Sequence, residues 1–191
     1  MVKTYPHGII ILAVKPQARH DVFDSLLSEK ASLTGCPLVI SILAGVDEKL
    51  LKKELLPIGY NGPIVRLFPN TAVAIGSGAS ILCAEPSVSD EVIALVSSFA
   101  SKVGLCLRVD PRNFNAYGAI SGSAPAWVYM FIESLADGGV FAGCSRETAL
   151  KLAAQTVMVI VVPFHFYDNL PFHCFHESGQ AHAVDHQKHC L

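Results

Sequence analysis

Ile9-Ile10-Ile11-Leu12-Ala13-Val14-Lys15-Pro16 is the stretch that decides the fold class of this chain. It opens with a continuous run of apolar, mostly branched residues, and a lysine and a proline end that run. Continuous runs of this kind are typical of strands covered on both faces in a parallel sheet, because a strand with one wet face alternates apolar and polar residues. The stretch therefore predicts a buried parallel strand over residues 9–14.

Helices and strands alternate after this run. Val22, Phe23 and Leu26 recur at helical spacing, and Gly35-Cys36-Pro37 then breaks the pattern. The predicted strands are 9–14, 38–43, 64–68, 79–83 and 105–109, and the predicted helices are 21–30, 48–56 with Asp47 as N-cap, and one that follows Ser89 and has Gly104 as C-cap. Strands that alternate with helices imply an α/β fold with a parallel sheet and right-handed crossovers.

Two helical patterns replace the alternation after Asp110-Pro111. Pro125 fits the first turn of the first helix, which Gly143 ends. Ser145 is the expected N-cap of the second helix, which runs through Met158. The first helix also carries small residues that suit tight helix packing or a dimer interface, namely Ala136, Gly138 and Gly139.

Composition and charge exclude several classes of protein. The chain has 191 residues, of which 51% are hydrophobic and 16% charged, as in globular proteins. A net charge of -2 provides no basic surface for nucleic acid or an anionic membrane. The six cysteines are scattered rather than paired at short spacing, which indicates reduced thiols in an intracellular protein. We therefore expect a cytoplasmic protein without nucleic-acid or membrane partners and without a metal site.

One segment identifies a family. Ala119-Ile120-Ser121-Gly122-Ser123-Ala124-Pro125-Ala126-Trp127-Val128 leads into Glu133-Ser134-Leu135-Ala136-Asp137-Gly138-Gly139-Val140. This arrangement resembles the signature of pyrroline-5-carboxylate reductases, Ala-Leu-Ser-Gly-Ser-Gly-Pro-Ala-Tyr followed by Glu-Ala-Leu-Ala-Asp-Gly-Gly-Val. The resemblance implies NAD(P)H-dependent reduction of 1-pyrroline-5-carboxylate to L-proline, with NADP or NAD as cofactor and a homo-oligomer built through a helical domain.

The resemblance also implies a set of site residues. Residues 13–16 resemble the family's Ala-Val-Lys-Pro loop, residues 43–45 its Ala-Ala-Gly turn, and residues 66–72 its Met-Pro-Asn-Thr-Pro segment. The implied cofactor-binding residues are Ala13, Val14, Lys15, Pro16, Leu43, Ala44, Gly45 and Asn70, and the implied substrate-binding residues are Ser121 and Ser123. The alternatives are a plain turn at the glycine and helix capping by the serines. No catalytic residue is assigned.

The resemblance covers about residues 8–158. The Gly-x-Gly-x-x-Gly/Ala turn of a first strand and the family's Ser-Pro-Gly-Gly-Thr-Thr loop do not occur in the sequence. The expected domains are 1–109, a Rossmann-like NAD(P)-binding domain without its first βαβ unit; 110–158, part of a helical dimerisation domain; and 159–191, an unrelated, unstructured His-rich tail. A sheet without that first unit exposes an edge, so we expect poor solubility.

Two alternatives for the function of the chain stay open, and two for its tail. The chain could be a non-catalytic, truncated isoform that associates with full-length reductase subunits. It could be a different hydroxyacid or imine reductase, although residues 126–140 lack the lysine expected on the interdomain helix of the hydroxyacid branch. In the tail, His182 and His186 are four residues apart, so on a helix they could share a metal ion. The favoured interpretation of the tail is instead an unselected sequence, such as a translated intron.

Overall fold

The computed structural model describes residues 7–166, with side chains through Met158. A five-stranded sheet has its strands in chain order. The strands are β1 (Ile10–Leu12), β2 (Val39–Ser41), β3 (Ile64–Phe68), β4 (Gly78–Ala84) and β5 (Gly104–Arg108), and the helices are α1 (Arg19–Ser28), α2 (Glu48–Leu55), α3 (Asp90–Ala100), α4 (Phe114–Gly118), α5 (Ala124–Phe141) and α6 (Arg146–Phe166). The predicted α/β class, with a sheet domain followed by helices, is confirmed.

The sheet differs from the prediction in the direction of one strand pair. β1, β2 and β3 are parallel, and so are β4 and β5, but β3 and β4 pair antiparallel. The cause is the short connection 69–77, which contains only the 3-10 turn Thr71–Ile75. A parallel crossover needs about a dozen residues or more, usually a helix, so the chain can only turn back.

The two faces of the sheet are covered by different helices. Val39 and Ile64 pack against α1 and α2 through Phe23, Leu51 and Leu55. The adjacent residues in the same strands, Ile40 and Val65, point to the other face and contact the buried residues of α3, which are Ile93, Val96 and Ala100. Because successive side chains alternate between faces, two buried faces require an uninterrupted apolar sequence. This explains the consecutive apolar residues Val39-Ile40 in β2 and Ile64-Val65 in β3.

β1 is less buried than its sequence predicts. Leu12 is buried, but Ile9 and Ile11 are each 47% exposed. Within residues 7–166, β1 pairs only with β2, so it is an edge strand. An edge strand of this kind leaves part of its apolar surface uncovered.

The predicted caps Asp47, Ser145 and Gly104 all lie at helix ends. Asp47 Oδ1 accepts from the backbone N of Leu50 at 2.8 Å, and Ser145 Oγ accepts from the backbone N of Thr148 at 3.2 Å. Gly104 caps the 3-10 turn Ser101–Val103 that continues α3, and it is also the first residue of β5, with φ +139°. A Cβ at this position would lie 2.0 Å from the carbonyl oxygen of Gly78, so the parallel pairing of β4 and β5 requires glycine there.

The helices from Tyr129 onward form a compact unit of their own. Ala136 of α5 is completely buried against Ala149 and Ala153 of α6. At Gly139, a Cβ would lie 3.2 Å from that of Ala149, whereas Gly138 faces open space. Tight helix packing through small residues is therefore confirmed at residues 136 and 139.

α6 continues past Met158, where the sequence analysis ends it, to Phe166. The β-branched residues after Met158 lower helix propensity only slightly, so they do not stop the helix. The predictions for the tail, including the histidine pair, fall mainly on residues 167–191, which lie outside the described part of the chain. The division into domains 1–109 and 110–158 stays a prediction.

In the part of the chain that the structure describes, no helix is long and apolar enough to cross a bilayer. The same residues contain no group of three or more His, Cys, Asp or Glu side chains that could hold a metal ion.

Candidate functional site

The carboxyl ends of β1, β2 and β3 lie at one edge of the sheet because these three strands are parallel. The backbone N of Ile42 donates to the carbonyl oxygen of Leu12 at 3.1 Å, which keeps the ends of β1 and β2 side by side. The segments 13–16, 43–45 and 69–70 follow directly. In open α/β sheets this edge is where ligands bind.

A cavity of about 150 Å³ lies at this edge. It is lined by Ala44 and Gly45 after β2, Arg66 and Phe68 of β3, and Phe114, Asn115, Gly118, Ala119 and Ser123. Gly45 has φ +72° and would have no heavy atom within 4 Å of a Cβ, so its backbone faces open space. Three of the implied site residues, Ala44, Gly45 and Ser123, therefore share this cavity.

Arg66 is a residue of the cavity wall that the sequence analysis did not assign. It is only 7% exposed, and its guanidinium carbon lies 4.0 Å from the centre of the Phe114 ring. Phe68 meets the same ring edge-on, with the ring centres 6.4 Å apart. The sequence does contain a signal that could have identified Arg66, since it is a charged residue within the otherwise apolar strand 64–68. A buried charge needs a specific partner, so such a residue is a candidate for a site.

Glu48 and Cys83 form a buried polar pair near Arg66. The thiol of Cys83 donates to Oε1 of Glu48 at 3.4 Å. Burial, and then the charge of Glu48, raise the pKa of the Cys83 thiol to about 12, while Arg66 acts in the opposite direction. A thiol with this pKa is not a thiolate near neutral pH, so Cys83 is not a nucleophile.

Asn70 and Ser121 contact each other directly. Nδ2 of Asn70 donates to the backbone oxygen of Ser121 at 3.0 Å, and its Oδ1 accepts from the backbone N of Ala79 at 3.1 Å. Ser121 belongs to a single π-helical turn, Ala119–Ser123. Its hydroxyl is buried and has no hydrogen-bond partner among the described residues. Such an orphaned buried hydroxyl is uncommon in folded proteins.

The residues 13–16 lie at a different groove. Ala13 and Val14 line an apolar groove of about 190 Å³ together with Phe23, Leu26 and Leu55. Lys15 is exposed, and its carbonyl oxygen accepts from the backbone N of Ala18 at 2.9 Å. The structure therefore brings Ala44, Gly45 and Ser123 to one cavity and Asn70 to Ser121, and places residues 13–16 beside β1.

These features are those of a ligand-binding edge in an open α/β sheet. The open backbone at Gly45 lets a flat ring or a ribose approach without a Cβ in the way. Ser121, whose hydroxyl has no hydrogen-bond partner among the described residues, lies next to Asn70 at the end of β3.

Comparison with known proteins places the chain in a family. Residues 111–162 match the family model described as pyrroline-5-carboxylate reductase dimerisation. Over 151 residues the chain is 40% identical to a pyrroline-5-carboxylate reductase of a Synechocystis strain, which covers 78% of this chain and 53% of that protein. It is 38% identical over 151 residues to a pyrroline-5-carboxylate reductase of Pisum sativum, with 79% and 53% covered.

A solved structure has the same fold. The crystal structure of a pyrroline carboxylate reductase from Plasmodium falciparum with NADP bound superposes with a TM-score of 0.73 at 31% identity. The superposition covers 85% of this chain and 59% of that one. The chain spans about half the length of the curated relatives it matches. From the match at residues 111–162, the relatives and the shared fold, the chain belongs to the pyrroline-5-carboxylate reductase family.

Proposed function

We propose that this chain acts in the NAD(P)H-dependent reduction of 1-pyrroline-5-carboxylate to L-proline. The observation that carries the proposal is the cavity at the carboxyl ends of β2 and β3, which Gly45, with its open backbone, Ser123 and the buried Arg66 line together. Relatives named for this activity and an NADP-bound structure of one family member support it.

In this proposal Gly45, with Leu43 and Ala44, lies beside the nicotinamide half of NADP or NAD, and residues 13–16 flank the cofactor from the end of β1. The reduced cofactor supplies a hydride to the carbon of the C=N bond, whose nitrogen carries a proton. The protein holds the two reactants in register, which removes much of the entropic cost of the step.

The substrate carries a carboxylate, and the chain offers groups suited to it. Ser121 and Ser123 can donate hydroxyl hydrogens to its oxygens. Arg66 places a positive charge in the cavity wall, which favours an anion over a neutral molecule of the same shape. We assign Ser121 and Ser123 to the substrate and Arg66 to the electrostatic bias of the cavity.

A second copy of the chain is the proposed partner of the helical unit. The apolar side chains Met130, Phe131, Leu135, Phe141 and Leu152 are all exposed on α5 and α6. Exposed large apolar side chains, where they cluster, typically mark a protein interface. The family description of residues 111–162 as a dimerisation region agrees with that reading. A cytoplasmic location stays a prediction of the sequence.

The experiment is to add 1-pyrroline-5-carboxylate to the purified chain with NADPH or NADH, and to compare L-proline formed with cofactor oxidised. We expect equal amounts of both, and a strong loss of turnover in Ser121→Ala. A folded chain that forms no proline would refute catalysis by this chain.

Association with a complete reductase subunit is the second candidate function, favoured by the exposed apolar residues of α5 and α6. The chain would then co-purify with a complete subunit when both are co-expressed. Phe131→Glu with Leu135→Glu would abolish co-purification, whereas Lys151→Glu, a charge reversal at an exposed residue of α6, would not. Failure to co-purify would refute this candidate.

A further inference from the structure

The side-chain amide of Asn70 is committed to two backbone groups on different elements. Its Nδ2 reaches the Ser121 oxygen at 3.0 Å, and its Oδ1 receives the N–H of Ala79 at the start of β4 at 3.1 Å. An asparagine amide offers donors on one atom and acceptors on the other, so only this orientation satisfies both contacts. Asn70 therefore ties the turn 119–123 to the end of β3 and to β4.

The turn is fixed by a second contact. A Cβ on Gly122 would lie 2.4 Å from Cε1 of Phe68, so the glycine backbone rests directly on that ring. π turns are rare and occur mostly as single turns at functional sites. With the ring of Phe68 under Gly122 and the amide of Asn70 on Ser121, the position of the Ser121 side chain is set by residues of the segment 68–70.

These two contacts fix the turn that carries the Ser121 hydroxyl. Ser121 Oγ is buried without a hydrogen-bond partner among the described residues, which costs free energy unless a ligand supplies the partner. Asn70 contacts the backbone of the same residue and makes no hydrogen bond to this hydroxyl.

We propose that Asn70 is a positioning residue that acts on the substrate through Ser121, by holding the turn 119–123 so that the Ser121 hydroxyl meets the substrate carboxylate. This inference rests on the proposed function. It gives Asn70 a role that differs from direct contact with the cofactor, the role that the family resemblance implies for it.

The test compares Asn70→Asp with Asn61→Asp. Asn70→Asp keeps an acceptor for Ala79 but replaces the donor that faces the Ser121 oxygen with a carboxylate oxygen. Asn61 is exposed in the loop before β3, so its variant controls for the added negative charge. Amide hydrogen exchange over residues 119–127 is measured in the chain without ligand, because exchange reports local opening directly.

We expect Asn70→Asp to speed exchange over 119–123 by about tenfold, the loss of one hydrogen bond, while Asn61→Asp matches the unmodified chain. Trp127, the only tryptophan of the sequence, gives a fluorescence readout next to the turn. We also expect the dissociation constant for L-proline or 1-pyrroline-5-carboxylate to rise about tenfold and that for NADPH to change less than about twofold.

Ser121→Ala separates the two parts of the proposal, because it removes the hydroxyl and keeps the backbone oxygen that Asn70 contacts. It should weaken substrate binding as Asn70→Asp does, with exchange over 119–123 unchanged. Unchanged exchange in Asn70→Asp, or a loss of NADPH affinity alone, would overturn the positioning role. Absence of substrate binding in the unmodified chain would instead refute the proposed function, while the exchange result still shows whether Asn70 holds the turn.

Discussion

The guanidinium of Arg66 lies over the ring of Phe114, with its carbon 4.0 Å from the ring centre. The contact joins β3 to α4 at the wall of the candidate site. Both residues are buried, so little water competes with the attraction between the cation and the ring. A cation over an aromatic face is worth about 2 kcal/mol when desolvated, against about 0.5–1 kcal/mol at an exposed site.

A double-mutant cycle tests the strength of this contact. Arg66→Met and Phe114→Leu each remove it while keeping most of the buried volume. We expect a coupling of about 1–2 kcal/mol between the two positions in urea unfolding. A coupling near zero would show that the charge of Arg66 is balanced elsewhere, for example by Glu48.

Gly104→Ala should strongly destabilise the sheet. The residue has φ +139°, and a Cβ would lie 2.0 Å from the Gly78 oxygen, so the strand pair β4–β5 must separate. We expect a loss of at least ~2 kcal/mol in the free energy of unfolding. Gly76→Ala is the matched control, because Gly76 also has a positive φ, +73°, but no neighbour within 4 Å of a Cβ. It should cost about 1 kcal/mol, from backbone strain alone. Equal losses at both positions would contradict the proposed steric cause.

The buried thiol of Cys83 should make stability depend on alkaline pH. Its pKa is raised from 9.0 to about 12, so the folded state favours the protonated thiol. The resulting stabilisation is complete below pH 9.0 and is lost as the pH rises toward 12. Burial also raises the pKa of Tyr60, which adds to the same loss.

Unfolding free energies measured from neutral to alkaline pH should therefore fall less steeply in Cys83→Ala than in the unmodified chain. Cys144→Ala removes an exposed thiol and should leave the slope unchanged. Alkylation at neutral pH should modify Cys144 well before Cys83. Identical slopes for all three proteins would refute the role given to the Cys83 thiol.

Asp47→Ala should weaken α2. The Asp47 carboxylate accepts from the backbone N of Leu50 at 2.8 Å, which satisfies a free amide of the first helical turn. We expect a loss of about 1 kcal/mol in the free energy of unfolding, measured in urea. Asp47→Asn keeps a side-chain acceptor and should lose less than half as much. Equal effects of both substitutions would point to the charge rather than the hydrogen bond.

Local sequence signals predicted much of this fold. Asp47 and Ser145 lie at helix starts because their side chains accept from free amides, a relationship contained within a few residues. The direction of β4 was predicted wrongly because it depends on the length of the connection 69–77. The pattern of apolar residues in the strands contains no information about that length. Gly104 was predictable as a helix end, but the steric requirement for glycine there comes from Gly78, a residue distant in sequence.

In the candidate site, too, residues marked by a local sequence signal were predictable, and residues defined by distant contacts were not. The glycine after β2 was identifiable from its position at a strand end, and Gly45 does line the cavity. Arg66 was missed because its partner, Phe114, belongs to a helix that the sequence analysis did not predict. The Asn70–Ser121 hydrogen bond joins segments about 50 residues apart, and only the folded chain brings them together.

The most direct test of the site is a footprint of amide hydrogen exchange in the purified chain, with NADPH and L-proline added separately and together. We expect NADPH to protect residues 43–46 and L-proline to protect residues 119–123. Binding of either ligand without protection of these segments, or no binding of either, would contradict the assignment of this strand-end cavity as the reductase site.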